Sequence, residues 1–351
     1  MTRTTEIAEV PGQRGRSAGE VLLWSRDVVV PALRAAVDQL PASMRDIAAY
    51  HLGWRDAQGR VDSADGGKTL RPALVLLAAR AAGGDVANAL PAAVAVELVH
   101  NFSLLHDDVM DGDETRRHRP TAWTVFGANA AVLAGDALQT LALEVLATSG
   151  HPALLDQVRV LNAAVLDLLD GQSADLAFED RTDVVLAECV AMAEYKTGAL
   201  LGGCCALGAL AAGADPDRVR HLRGFGARLG LAFQLVDDLL GIWGDPEVTG
   251  KPVFSDLQNR KKSLPVVAAL SSHTAAAREL DALYRSDEVL TETDLARAAE
   301  LIDVAGGRRW ARTKADEQLS LAAEHLRVAG AEPVAAAELM ELAKLVTRRD
   351  R

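Results

Sequence analysis

Cysteine is scarce in this chain: Cys189, Cys204 and Cys205 form an odd, scattered set with no metal-ligand spacing. That excludes a disulfide framework, and the expectation is buried, inert thiols in a reducing cytoplasm. Excess positive charge is missing too. The formal net charge is −12, which leaves no broad basic face to release counterions from nucleic acid and argues against such a partner. No signal peptide opens the chain, and no uncharged apolar stretch reads as long enough to span a bilayer. The nearest candidate, residues 197–214, is rich in Gly and Ala and follows Lys196, so it reads as a buried bundle helix. Aromatics amount to only 4 %. What remains is a sequence dominated by alanine and leucine, with Gly and Pro falling mostly between periodic runs. This favours an all-α chain. The 351 residues allow two domains or one large helical domain.

The chemistry concentrates in residues 100–121, HNFSLLHDDVMDGDETRRHRPT. Val94, Leu98, Phe102 and Leu105 recur at three- and four-residue steps, so the stretch begins on a helix. Asp107 and Asp111 then share a face one turn apart, with Asp108 about 100° away. Asp113 and Glu114 complete five acids within eight residues. Such crowding is repulsive unless cations neutralise it. Hard divalent ions completed by water and substrate phosphate suit the spacing, which describes Mg²⁺. Arg116, Arg117 and Arg119 follow at once and are placed to grip phosphate oxygens. A solvated, charged loop is the bland alternative; it weakens because a second acidic cluster exists. Asp237-Asp238 ends another apolar run 130 residues after Asp107, and two such clusters can face each other across a helical bundle.

Five motifs stand in order: Gly66-Gly67-Lys68-Thr69-Leu70-Arg71-Pro72, Asp107-Asp108-Val109-Met110-Asp111, residues 116–121, Lys196-Thr197 and Gln234-Leu235-Val236-Asp237-Asp238. In these the sequence resembles the trans-isoprenyl diphosphate synthases of the polyprenyl synthetase family, over roughly residues 20–350. The resemblance implies one isoprenoid-synthase-type α-helical bundle over 18–351 with a central cavity, usually a homodimer. It implies three Mg²⁺ ions held by Asp107, Asp111 and Asp237 with help from Asp108 and Asp238. Lys68, Arg71, His100 and Arg117 are implied to hold isopentenyl diphosphate, while Arg116, Lys196, Lys251 and Lys261 hold the allylic diphosphate. Thr197 and Gln234 add oxygens there, and the register of Lys261 against Lys262 is open by one residue. Gln172 and Asp175 match a cavity-facing pattern as well as they match plain polar helix positions.

The second motif departs from the family's DDxxD: Gly241 stands where the third aspartate is common. Asp245 would share the face of Asp237 if the helix continued, and Gly241→Asp is expected to leave activity intact. A class I terpene cyclase would use the same metals, but it has no need of Lys68, Arg71 and Arg117. A non-catalytic partner subunit would be expected to lose first-cluster aspartates or Lys196-Thr197, and this chain keeps both. Phe102 lies about 7.5 Å before Asp107 along the helix, with the small Ser103 beside it. In the resembled family an aromatic there limits product length, and two extra residues within the first aspartate motif tend to go with the fifteen-carbon product. This motif has no such insertion, which favours the twenty-carbon product. The competing reading is that Phe102 merely packs between helices.

Along the rest of the chain the expected helices are residues 18–40, interrupted or kinked at Pro31, then 43–54, 121–148, 154–172 and 184–212. Residues 1–17 are polar and aperiodic, expected to be a disordered tail or a segment that docks on a partner.

Overall fold

The first helix, α1 (Ala18–Val37), starts at Ser17 because a reciprocal cap satisfies its free donors. The Ser17 hydroxyl accepts from the Glu20 backbone N–H, and the Glu20 carboxylate accepts from Ser17 N at 2.8 Å. Helix α1 runs through Pro31 without interruption, so the expected restart does not occur. The structure, a computed structural model, describes residues 15–62, 69–245, 253–286 and 288–347. The Gly66–Lys68 part of the first motif and Lys251 lie outside them, as do residues 1–14 of the expected tail.

The remaining helices are α2 (Ala42–His51), α3 (Leu70–Ala81), α4 (Val86–Met110), α5 (Ala122–Phe126), α6 (Ala128–Ala147), α7 (Leu154–Asp180), α8 (Leu186–Ala193), α9 (Ala199–Ala211) and α10 (Pro216–Trp243). They are followed by α11 (Ser255–Gln258), α12 (Leu264–Leu270), α13 (Ala275–Arg285), α14 (Glu292–Val304), α15 (Gly307–Val328) and α16 (Pro333–Thr347). Helix α9 is apolar all round and nearly every residue in it is buried, as a central bundle helix requires. Helices α3, α7 and α10 pack on it, α6 packs on α4, α15 on α10 and α16 on α3. A second apolar cluster of α8, α10, α12 and α15, including Leu235, Leu239, Leu264 and Val267, backs the second aspartate pair.

Several boundaries differ from the sequence expectation. The run 121–148 breaks at Gly127, whose φ of +90° is open to glycine and separates α5 from α6. Helix α7 continues eight residues past Gln172, and the run 184–212 is two α-helices joined by a π-helical turn, Glu194–Gly198. Two helices, α4 and α6, are long and apolar enough to cross a bilayer by length and composition alone, but both carry acidic residues, and 72 % and 39 % of their apolar windows are buried within the bundle. Residues 15–17, assigned by the sequence to the tail, are among the described ones. Arg16 grips Glu338 of α16 with Nε and Nη2 at 2.9 and 2.7 Å, and its backbone N–H adds a third bond. Arg80 of α3 reaches the same carboxylate at 2.8 Å. Glu338 is 2 % exposed, so Glu338→Gln leaves two arginines short of charge and should cost about 2 kcal/mol. A denaturant midpoint identical to wild type would show that this clamp contributes nothing.

Candidate active site

Helix α4 turns Val94, Leu98, Phe102 and Leu105 into the core, which leaves Asp107 and Asp108 in its last turn and Asp111 as its C-cap. A helix C-terminus already carries partial negative charge, so three carboxylates there are a poor structural device. Burial, above all, raises the Asp107 carboxyl to about 6; Lys196 and Arg116 oppose the rise, and Asp111 and Asp108 add to it. Asp108 rises to about 6 for the same first reason, although Arg116 Nε donates to its Oδ1 at 2.7 Å. Its other oxygen, Oδ2, has no partner among the described residues.

Beyond α4 a two-residue hairpin, β1 (Thr115–Arg116) and β2 (Arg119–Pro120), aligns Arg116 with Arg119. Arg117 and His118 turn it at φ of 52° and 60°. These left-handed residues suit the tight turn between antiparallel strands. The three arginines therefore part company. Arg116 serves Asp108 and Arg117 occupies the turn, while Arg119 donates to the backbone carbonyls of Tyr50 and Arg55. Arg119 thereby ties the hairpin to the end of α2 and to the segment that follows it.

Arg71, in the first turn of α3, meets His100 of α4: Nη1 lies 3.0 Å from Nε2. His100 is held neutral, its pKa far below the usual value, by burial first and then by Arg71, Arg117 and Arg116. Two residues that the sequence gave no reason to single out complete this corner. Buried Glu97 lies beside Arg71 and Arg117, its carboxyl raised by burial. His51 of α2 is lowered to about 3 by burial and by the Arg117 and Arg116 charges.

The second cluster sits on α10. Asp237 is exposed, whereas Asp238 is buried and fully engaged. Gln234 Nε2 donates to Asp238 Oδ1 at 2.7 Å and the Leu264 backbone N–H donates to Oδ2 at 2.8 Å. Burial still raises Asp238 to about 7. Helix α10 ends at Trp243 with Gly244 extended, so Asp245 is not carried on the face of Asp237.

Gly241 itself lies against another carboxylate. A Cβ built there would lie 2.3 Å from Oδ2 and 2.4 Å from Cγ of Asp256. A carboxylate from α11 already occupies the space that a third aspartate side chain would need.

Between the clusters lies the π-helical turn. Its backbone presses on α7 at Gly171, where a Cβ would meet Lys196 N at 2.3 Å. The turn directs Lys196 Nζ to Asp175 Oδ2 at 2.6 Å and Thr197 Oγ1 to Gln234 Oε1 at 2.6 Å. Lys261 Nζ approaches the same Asp175 oxygen at 4.0 Å. Burial alone would raise Asp175, but Lys261 and Lys196 outweigh it and hold the carboxyl below its usual value. Burial alone would likewise lower Lys261, but Asp175, Asp256, Asp238 and Asp237 together push its pKa up. Lys262 turns the other way, to the carbonyl of Glu179, so of the two lysines it is Lys261 that faces Asp175. Gln172 Nε2 faces Asp111 Oδ1 at 3.4 Å, so Gln172 and Asp175 both touch residues of the expected site. Asp107, Lys196, Asp175, Lys261 and Asp237 thus form a ladder of alternating charge from one aspartate cluster to the other.

Among the described residues no three carboxylate, imidazole or thiol groups converge to cage a metal. Oxygen ligands in ones and twos from separate helices fit Mg²⁺, which keeps waters and takes substrate oxygens, better than a closed protein site.

The polyprenyl synthetase family model matches residues 60–302, a span that contains every motif above. The chain belongs to the polyprenyl synthetase family. This polyprenyl synthetase is 49 % identical over 333 residues to a (2E,6E)-farnesyl diphosphate synthase of Mycobacterium tuberculosis, covering 94 % of the chain and 92 % of the relative. It is 46 % identical over 345 residues to a geranylgeranyl diphosphate synthase of the same organism, covering 98 % and 97 %. Its fold matches the crystal structure of a polyprenyl synthetase from Streptomyces coelicolor A3(2) with a TM-score of 0.90 and 46 % identity, covering 94 % of this chain and 99 % of that one. The family uses Mg²⁺.

Proposed function

We propose that this polyprenyl synthetase is a short-chain prenyl diphosphate synthase that joins isopentenyl diphosphate to dimethylallyl, geranyl or farnesyl diphosphate. The charge ladder between the two aspartate clusters carries this reading. A diphosphate leaving between the clusters would meet cations and metal ligands on both sides, as ionisation of an allylic C–O bond requires. Asp107, Asp111 and Asp237 would hold Mg²⁺, taken to be three ions, which supplies Lewis-acid stabilisation of the departing diphosphate. Asp108 and Asp238 act from behind, the first by orienting Arg116 and the second by fixing Gln234. Lys196, Lys261, Lys251 and Arg116 add positive charge on the allylic side. Thr197 and Gln234 hold one another, so their oxygens face the site in a set orientation. Arg71, His100 and Arg117, with Lys68, hold the second diphosphate; neutral His100 stays next to two guanidinium groups without adding a third charge. The isopentenyl double bond then attacks C1 of the allylic cation, and the C2 proton leaves to the departing diphosphate. Incubation with isopentenyl and dimethylallyl diphosphates and Mg²⁺ should release inorganic diphosphate and yield longer prenyl diphosphates. Cyclised hydrocarbons, or no turnover, would refute the reading.

For the product we infer geranylgeranyl diphosphate, with farnesyl diphosphate as the second reading, favoured by the 49 % identity above. Phe102 is buried, its ring edge-on to His106 with centroids 4.8 Å apart, and it lies beside Gly135 of α6. Ser103 is buried next to it, with its hydroxyl on the carbonyl of His100. Phe102→Ala tests whether this ring also limits the chain. As a stop it would lengthen the products at retained activity; as packing alone it would cost ~3–5 kcal/mol and leave product length unchanged.

We further propose that the polyprenyl synthetase domain, residues 18–351, acts as a homodimer. Leu133, Leu155, Leu166 and Leu169 are 53 %, 71 %, 67 % and 40 % exposed along α6 and α7, large apolar side chains of the kind that an interface covers. Sedimentation at the monomer mass at micromolar concentration would dispose of it.

A further inference from the structure

The inference concerns a cavity away from the aspartate clusters. It measures about 570 Å³ and is bounded by the end of α7, the segment after α11 and the end of α13. Its wall is unusual for a chain of net charge −12, because Arg260, Lys262 and Arg285 all line it and Glu179 is the only acid that does among the described residues. Thr182, Asn259 and Tyr284 add polar groups.

Two of the three cations have no carboxylate partner among the described residues. Arg260 Nη2 donates to the carbonyl of Glu288 and Lys262 Nζ to the carbonyl of Glu179. Only Arg285 is paired, with Asp281 of its own helix at 2.7 Å. Arg260 Nε and the Tyr284 hydroxyl, both shielded from solvent, lack any hydrogen-bond partner among the described residues. Burial, first, lowers the Lys262 pKa; Glu179 and Asp180 resist, and Arg260 adds to the lowering. Adjacent cations satisfied only by neutral carbonyls lower their free energy by taking up an anion, and guanidinium groups suit phosphate oxygens in particular.

We propose that this cavity is a second anion site, selective for a phosphate or diphosphate group and held by Arg260, Lys262 and Arg285. Arg260 and Lys262 flank Lys261, whose side chain turns instead toward Asp175. An occupant would therefore grip both sequence neighbours of a residue in the reaction site. The same chemistry could come from free inorganic diphosphate or from the head group of a prenyl diphosphate.

The test is calorimetric titration of the full chain in EDTA with inorganic diphosphate and, separately, with geranylgeranyl diphosphate. Wild type is compared with Arg285→Gln, whose side chain is 53 % exposed and safe for folding, and with Arg260→Gln/Arg285→Gln. Crystals soaked in tungstate locate the site directly. The expected result is a binding class weakened at least tenfold in the double variant, with less change in the single one, and tungstate between the three cations. If the double variant misfolds, Arg285→Gln and the tungstate position decide. Loss of inorganic diphosphate binding identifies the free ion as occupant, and loss confined to geranylgeranyl diphosphate identifies the head group. Unchanged binding of both ligands, or tungstate only at the aspartate clusters, overturns the proposal.

Discussion

Asp107→Ala is expected to cut turnover by at least about 10³-fold, because the lost metal contact is worth several kcal/mol of transition-state stabilisation. The same position should behave in the opposite way in the metal-free protein. The Asp107 carboxyl titrates at about 6 when folded, against about 3.9 in an unfolded chain. Between those values the folded state binds more protons than the unfolded one, so stability falls as pH rises through the window. Above pH 6 the ionised, buried carboxylate burdens the fold by up to about 3 kcal/mol. Below pH 4 the burden is gone. Asp107→Asn, which keeps the shape, should therefore raise the melting temperature in EDTA at pH 7.5 and leave it unchanged near pH 3.5. A variant that is less stable than wild type at both pH values, or that turns over normally with saturating Mg²⁺, would contradict this account of the cluster.

A larger structural penalty is expected at Gly241. The built Cβ lies 2.3–2.7 Å from all three carboxyl atoms of Asp256, and aspartate is too short to swing clear without moving α11. Gly241→Ala should displace Asp256, which helps to raise the Lys261 pKa. Gly241→Asp should do more damage, since it sets a second carboxylate against the first in a site that already raises Asp238. We expect both variants to lose about 10- to 100-fold in kcat/KM, equivalent to about 1.4–2.7 kcal/mol, with lower melting temperatures and Gly241→Asp the worse. Activity in Gly241→Asp within twofold of wild type would show that Asp256 yields freely and that its position does not matter.

The contrast between these two sites shows how far the sequence could be read. Asp107, Asp111, Lys196 and Gln234 were legible because helical periodicity places residues on a face, and the face is what the chemistry uses. Gly241 was not legible, because its role depends on a carboxylate fifteen residues later that packs over it, and no local pattern encodes that contact. The π-helical turn escaped for a related reason. Residues 184–212 carry an apolar rhythm with no proline to break it, so only the close approach of α7 at Gly171 and the bonds to Asp175 and Gln234 reveal the change of winding. His51 and Glu97 gave no sequence signal at all: a single histidine and a single glutamate on apolar helices look like ordinary core positions until Arg71, Arg116 and Arg117 are seen around them.

The π-helical turn also says something about helix phase. An i→i+5 turn holds one residue more than an α-helical turn, and each residue advances an α-helix by about 100°. Helices α8 and α9 are therefore out of phase by about that angle, and Lys196 and Thr197 sit on the surplus. Removing one residue between Glu194 and Gly198 would yield a straighter, better-bonded helix that could seat either α8 or α9 in its present groove, but not both. In this chain the lysine that meets Asp175 does so at the expense of regular winding, and the irregularity is itself the means of aiming it.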